Sequence, residues 1–212
     1  MADYAVIKNL LRCDFDCDNN QLDRYARYID LLLHWNKKIN LTSVKDHNQC
    51  WEKHIYDSLL ASDFIQPQQT VLDIGSGAGL PAIPLCIHNS KIYVTSIDCV
   101  NKKVLFQRHC KRILALNNFT VISGRVENLI SPNGYDVVMS RAFAAVDKMV
   151  EMSVNLLAEN GTMVLLKSAG YPAELAAASM VLKENSLRVK TISDFVLPIS
   201  GAQRTIIVLT RQ

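Results

Sequence analysis

Val71-Leu72-Asp73-Ile74-Gly75-Ser76-Gly77-Ala78-Gly79-Leu80 reads as a buried strand running directly into a turn with three glycines in five residues, and Asp98 closes the next apolar run. Glycine loses more backbone freedom on folding than any other residue. Three together therefore mark a place where the chain turns tightly or a ligand approaches bare backbone. An acid at the carboxyl end of the second strand is placed to accept hydrogen bonds from both hydroxyls of a ribose. Together the two features nominate a nucleotide-type cofactor site on a strand-turn-helix unit.

The glycine spacing narrows the cofactor. A dinucleotide fingerprint is Gly-x-Gly-x-x-Gly/Ala, but the position three after Gly77 is Leu80, and the third glycine is Gly79. Gly75-x-Gly77-x-Gly79 after an acidic strand resembles the S-adenosylmethionine loop of Rossmann-like methyltransferases. Such a ligand carries a sulfonium cation and no pyrophosphate, so the Asp73 carboxylate is tolerable beside it where phosphates would be repelled. Pro81 and Pro84 fit the first turn of the following helix, because the N–H groups they lack would be orphans there. That helix start is expected to face the methionine carboxylate.

At 212 residues with 49% hydrophobic content the chain can bury a sizeable core. No apolar run approaches the ~20 residues of a membrane span, and Met1-Ala2-Asp3-Tyr4 opens no export leader. The expectation is a soluble cytoplasmic monomer that binds neither membrane nor DNA. Net charge is +3, with residues 1 to 62 at about −1 and the remainder at about +4. No acid occurs from Cys99 to Val126, whereas Lys102, Lys103, Arg108, Lys111, Arg112 and Arg125 do. The six cysteines, at 13, 17, 50, 86, 99 and 110, show no Cys-x-x-Cys pair. Cys13-x-x-x-Cys17 lacks the third cysteine of a cluster motif, Asn20 standing there. Neither the cysteines nor His34, His47, His88 and His109 group as metal ligands, so no metal is expected.

Residues 1 to about 62 read as helical throughout. Val6, Ile7, Leu10 and Leu11 make one short face. Leu22, Tyr25, Ile29, Leu32 and Leu33 repeat at helical spacing behind an Asp18-to-Gln21 start signal. A third helix after Asp46 carries Trp51, Ile55 and Leu59 on one side. Pro67 and its polar surroundings mark a boundary, dividing the chain into a helical extension, 1–65, and a Rossmann-like domain, 66–212. Beyond it, strands are expected near 70–74, 92–97, 119–123, 135–140, 162–167, 191–197 and 204–210. Helices are expected near 80–88, 101–116, 145–158 and 172–184. That alternation predicts an α/β fold with a mostly parallel seven-stranded sheet. The short Pro198-to-Gln203 connection makes the last two strands an antiparallel hairpin, the methyltransferase variant of the Rossmann layout.

Other segments admit two readings. Gly124-Arg125-Val126-Glu127 would meet an adenine ring or be an ordinary solvated loop. Ser140-Arg141-Ala142-Phe143 follows the fourth strand, where methyltransferases hold their acceptor. The chain has no Asn/Asp/Ser-Pro-Pro-aromatic sequence for an exocyclic amine and no Pro-Cys nucleophile, which leaves a ring nitrogen or an oxygen. Arg108, Lys111 and Arg112 lie opposite the apolar face of the 101–116 helix and are either a solvated face or a phosphate-tracking patch. His54 and Asp57, three apart, are in reach of each other on one helix and read as structural.

With these residues in view the chain resembles the ribosomal small-subunit RNA guanine-N7 methyltransferases, the glucose-inhibited division protein B family. The match runs from Trp35-Asn36 and Asn40-Leu41-Thr42 through His54-x-x-Asp57-Ser58-Leu59 to Leu72–Leu85. It continues through Asp98, Lys102-Lys103, Arg125-Val126-Glu127, Ser140-Arg141-Ala142-Phe143, Leu166-Lys167 and Arg204. Ala82 and Ser168 depart from glycines common in the family, and neither removes a group the reaction needs. The resemblance implies S-adenosylmethionine as co-substrate, contacts to it at Gly75, Leu80, Val126, Glu127 and Arg141, and a small-subunit (16S) RNA or assembling 30S subunit as partner. It also implies a helical extension that shapes the RNA site.

Guanine N7 has an in-plane lone pair and no proton to lose, so its methylation needs no general base. Arg141 and Lys167 are the residues expected to position RNA or cofactor. The competing readings are a methyltransferase of a protein or small metabolite, a non-catalytic cofactor-sensing RNA-binding module, and a nicotinamide dehydrogenase.

Overall fold

The computed structural model describes residues 4–168 and 170–212. Met1 to Asp3, read above as opening no leader, lie outside it. Among the described residues there are seven strands: β1 (Thr70–Ile74), β2 (Tyr93–Asp98), β3 (Phe119–Ser123), β4 (Tyr135–Arg141), β5 (Leu157–Lys167), β6 (Leu187–Val196) and β7 (Gln203–Arg211). They form one sheet in the order β3-β2-β1-β4-β5-β7-β6. The first five run parallel, while β7 lies antiparallel to both β5 and β6. β6 and β7 form the expected hairpin, because a six-residue link cannot carry a crossover.

Alternation along the strands divides two apolar layers. Val71, Val137, Val164 and Ile206 face one layer, and Leu72, Val138, Leu165 and Ile207 face the other. The second layer is closed by α7 (Val146–Ser153), α8 (Tyr171–Ala177) and α9 (Ser179–Glu184). The first is closed by α5 (Ala82–His88), α6 (Asn101–Ile113) and the N-terminal helices α1 (Tyr4–Phe15) and α2 (Asn19–Asn36). The α1 face is narrower than expected: Ile7 and Leu11 are buried, but Val6 is 46% exposed. On α2, Asp18 and Gln21 form a reciprocal capping box, and Leu22, Tyr25, Tyr28, Ile29 and Leu32 are buried. Tyr28 and Trp35 reach Phe106 on α6, and Arg24 Nη2 donates to Leu114 O at 2.7 Å, satisfying a carbonyl at the end of α6.

Residues 1 to 62 are not helical throughout, since 37 to 46 carry no helix. Asn36 shapes the start of that segment. Its Oδ1 accepts from Leu41 N and Thr42 N, and its Nδ2 donates to Thr42 O. The expected third helix follows with Asp46 as its N-cap: α3 (His47–Cys50), a π-helical stretch (Trp51–Tyr56) and α4 (Asp57–Leu59). Trp51, Ile55 and Leu59 are all fully buried, as their spacing requires.

The expected 101–116 helix stops at Ile113 because Ala115 takes a positive φ of 48°. The expected 172–184 helix is two helices that meet at Ala178. β5 starts earlier than its hydrophobic run, with a register shift opposite Tyr135 and Val137.

Glu52, 3% exposed, accepts from Ile199 N at 2.6 Å and Ser200 N at 2.8 Å. It ties the third helix to the turn of the β6–β7 hairpin. Hydrogen bonds to a charged group contribute more than neutral ones, so Glu52→Ala is expected to lower unfolding free energy by roughly 2 kcal/mol. A urea denaturation midpoint unchanged from wild type would contradict that.

Candidate active site

The carboxyl ends of β1, β4 and β5 open into a cavity of about 770 Å³. Gly75, Ser76, Gly77, Ala78 and Leu80 line one side, and Arg141 to Ala144 with Leu166 to Ser168 line another. The third wall comes from the N-terminal segment: residues 41 to 44, Lys53, His54 and Asp57.

The glycine turn is built as its sequence demands. Gly75, Gly77 and Gly79 have φ of +68°, +58° and +83°, where any side chain is strained. A Cβ on Gly75 would lie 2.0 Å from Phe143 Cδ2 and one on Gly79 2.4 Å from Ile83 Cδ1, whereas Gly77 has nothing nearer than 3.8 Å. Close packing therefore requires two of the glycines, and the third keeps backbone open to the cavity.

The loop is braced from three directions. Gly77 N donates to Asp98 Oδ2 at 2.9 Å. Gln107 Nε2 donates to Gly77 O at 2.9 Å while Gln107 Oε1 accepts from Ser96 Oγ. Tyr28 on α2 donates its hydroxyl to Ala78 O at 2.9 Å.

Asp73 is fully buried and lies behind the loop, accepting from Ser76 Oγ and from Ala82 N at 3.3 Å. The first-turn N–H of α5 thus meets this carboxylate, not the ligand group expected there. Burial pushes Asp73 up to about 7 despite those two donors. Asp98 Oδ1 also accepts from Val100 N at 2.8 Å, so the carboxylate caps the β2–α6 turn while holding Gly77. Val126 packs into the second apolar layer and Glu127 is exposed. Asp98, Val126 and Glu127 are not among the cavity's lining residues, whereas Gly75, Gly77, Leu80, Arg141 and Lys167 are.

His54 and Asp57 do not pair with each other. The π-helical stretch sends Asp57 N–H to Glu52 O and His54 O. Lys53 O, which an α-helix would offer to Asp57, accepts from His54 Nδ1 at 3.0 Å and Arg141 Nη1 at 3.0 Å. A carbonyl only accepts, so Nδ1 carries the ring proton, and Thr42 Oγ1 donates to His54 Nε2 at 2.8 Å. Asp57 turns instead to two guanidiniums, Arg141 Nη1 at 2.8 Å and Arg204 Nε at 2.8 Å. On the β5 side, Lys167 Nζ donates to Ala144 O at 2.6 Å and Glu174 Oε2 at 2.7 Å.

Thr42, His54, Asp57 and Glu174 are cavity residues that sequence reasoning did not place. The first three fall inside segments that carried the family resemblance. Glu174 had no signal beyond its place seven residues after Lys167.

A doubly wound sheet with a terminal antiparallel hairpin and a Gly-x-Gly-x-Gly turn at the β1 end defines the class I S-adenosylmethionine-dependent methyltransferase fold. Among solved structures, TYW2 of M. jannaschii in complex with AdoMet matches with a TM-score of 0.63 at 14% identity, covering 83% of this chain and 80% of that one. A SAM-dependent methyltransferase from Aquifex aeolicus matches with a TM-score of 0.59 at 17% identity, covering 76% and 93%. Sequence comparison goes further. Residues 21–206 match the GidB family model, rRNA small subunit methyltransferase G. The ribosomal RNA small subunit methyltransferase G of Syntrophotalea carbinolica is 34% identical over 96% of this chain and 95% of its own length. That of Geotalea uraniireducens is 37% identical over 90% and 88%. The chain belongs to the rRNA small subunit methyltransferase G family.

Burial and the nearby Arg141 guanidinium push His54 down to about 4, so the ring is neutral at pH 7. A histidine depressed on folding contributes stability that is present above its ordinary value of 6.5 and is lost as pH falls through about 4. The stability difference between wild type and His54→Gln is therefore expected to shrink by a few kcal/mol on going from pH 7 to pH 4. Taking the difference cancels the opposing contribution of Asp73. A difference independent of pH in parallel urea titrations would remove His54 as the cause.

Proposed function

We propose that this protein transfers a methyl group from S-adenosylmethionine to guanine N7 in small-subunit (16S) ribosomal RNA, free or within an assembling subunit. The observation that carries the reading is the glycine turn opening into a cavity whose far walls hold Arg141, Arg204 and Lys167, in a chain of this family.

The residues fit the cofactor. The bare backbone at Gly77 leaves a cradle that a Cβ would fill, and Gly75 and Leu80 line the same wall. Asp98 presents its carboxylate beside Gly77, each oxygen engaged by one backbone N–H, so lone pairs remain for ribose hydroxyls. Val126 and Glu127 stand beyond the β3 end as the adenine side of the site. The bound group would supply an electrophilic methyl on a cationic sulfur.

No general base is required. The N7 lone pair forms the new bond to carbon as the S–C bond breaks, and positive charge passes to the imidazole ring of guanine. The protein's task is to align the base, an orientation effect that can supply roughly 7–11 kcal/mol of the barrier. Arg141 and Lys167 serve that task as positioning groups. Residues 1–65 act as the extension that completes the acceptor side, through Thr42, His54 and Asp57.

Incubation with radiolabelled S-adenosylmethionine and small-subunit RNA or particles from a strain lacking the activity, followed by digestion to nucleosides, is expected to place label in 7-methylguanosine. Label in another nucleoside, or in protein, would refute the acceptor assignment. Asp98→Ala is expected to weaken cofactor binding at least tenfold by calorimetry, the loss of a charge-assisted contact being worth ~1.5–3 kcal/mol. An unchanged affinity would defeat the ribose assignment.

Lys111→Glu with Arg112→Glu is expected to raise the apparent KM for RNA and flatten its salt dependence. Identical RNA kinetics would return α6 to an ordinary solvated face.

A further inference from the structure

We propose that Glu174, together with Lys167, selects guanine as the acceptor by reading the base's Watson–Crick edge. The inference rests on the guanine-N7 reading above and deepens it.

The pair stands where an acceptor base would be held. Lys167 ends β5 and Glu174 lies on α8, and both line the cavity. The sheet order β1-β4-β5 puts them across β4 from the glycine turn. A base gripped from the β5 side therefore presents its opposite, imidazole edge toward that turn.

The hydrogen-bonding capacity of the pair is only part used. An ammonium has three N–H groups, and Lys167 commits two, to Ala144 O and Glu174 Oε2. Glu174 commits Oε2, and its Oε1 has no hydrogen bond among the described residues. The Lys167 side chain is 7% exposed and that of Glu174 35%, so the ammonium is fixed in the wall while the carboxylate reaches the open cavity.

Guanine's edge carries donors at N2 and N1 beside an acceptor at O6. A carboxylate spanning N1–H and N2–H, with an ammonium beside it at O6, matches all three. Adenine reverses two of them: its N1 lone pair would face the carboxylate and its N6 amino group the ammonium. That mismatch sets a lone pair against the carboxylate and an amino group against the ammonium, which discriminates more strongly than a lost apolar contact.

Two consequences suit the reaction. Neither partner donates to N7, so its lone pair stays free to attack. Methylation makes the base cationic and its N1–H more acidic, so an anion at that edge stabilises charge that develops only as the bond forms.

The test uses inosine, which keeps N7, O6 and N1–H but lacks the N2 amino group. The guanosine methylated by the wild-type protein is mapped first, and particles are reassembled with guanosine or inosine at that position. Wild type is expected to prefer guanosine by roughly tenfold in kcat/KM. Glu174→Ala is expected to lose at least tenfold on guanosine and to treat the two bases alike. Glu174→Gln, which keeps a carbonyl oxygen for Lys167, is expected to lose the same preference while binding S-adenosylmethionine normally, which shows that the site is intact.

A guanosine preference retained in both variants would overturn the role of Glu174, whether their turnover falls equally on both bases or not at all. Absence of 7-methylguanosine from the wild-type reaction would overturn the underlying reading, and this inference with it.

Discussion

A carboxylate buried between two guanidiniums has to be neutralised where it sits, and Asp57 draws three distant parts of the chain together to achieve this. Its side chain is 6% exposed, with Arg141 from the end of β4 on one oxygen and Arg204 from β7 on the other. Removing one partner from such an arrangement leaves an uncompensated buried charge, so the three elements are held in one geometry. That geometry is the back of the cavity. It leaves a net positive charge on the wall, as a site for a polyanionic substrate requires.

The π-helical stretch makes this possible. In an uninterrupted α-helix Asp57 N–H would take the Lys53 carbonyl. Here that carbonyl receives Arg141 and His54 side chains. His54 in turn holds Thr42, whose Oγ1 also accepts from Val44 N. A single departure from regular helix thus connects β4 to the 41–44 wall, in keeping with the tendency of such turns to occur at functional sites. On the opposite wall the glycine turn is held without regular structure. Asp98, Gln107 and Tyr28 each supply one hydrogen bond to it from a different element.

Most of the fold was legible because its signals are local. The 70–74 and 119–123 strands, the Asp18 cap and the closing hairpin follow from periodicity, capping chemistry and loop length. The errors lie where local signals run out. The polar stretch Arg188 to Lys190 hid the start of edge strand β6, which is open to solvent on one side. The exposed Glu159 and Asn160 similarly hid the irregular start of β5. The break at Ala178 has no proline or glycine to announce it. At the site, Gly75, Gly77, Leu80, Arg141 and Lys167 were readable as cavity residues because each sits at the end of a recognisable strand or in the glycine turn that follows one.

The sequence by itself determined the cofactor-type turn. A strand running into three glycines, with an acid one strand later, is a local pattern that allows the positive φ found at each of the three. It also determined the two-layered sheet, since near-continuous apolar runs such as Val137-Val138-Met139 and Met163-Val164-Leu165-Leu166 must bury both faces of their strands. Only the tertiary structure decided which charges meet. Asp57 found Arg141 and Arg204, 84 and 147 residues away in the chain, in place of its helical neighbour His54. Glu174 found Lys167 across a turn. Periodicity specifies which face of an element is buried, but the pairing of charges depends on where separate elements converge, and no local pattern encodes that.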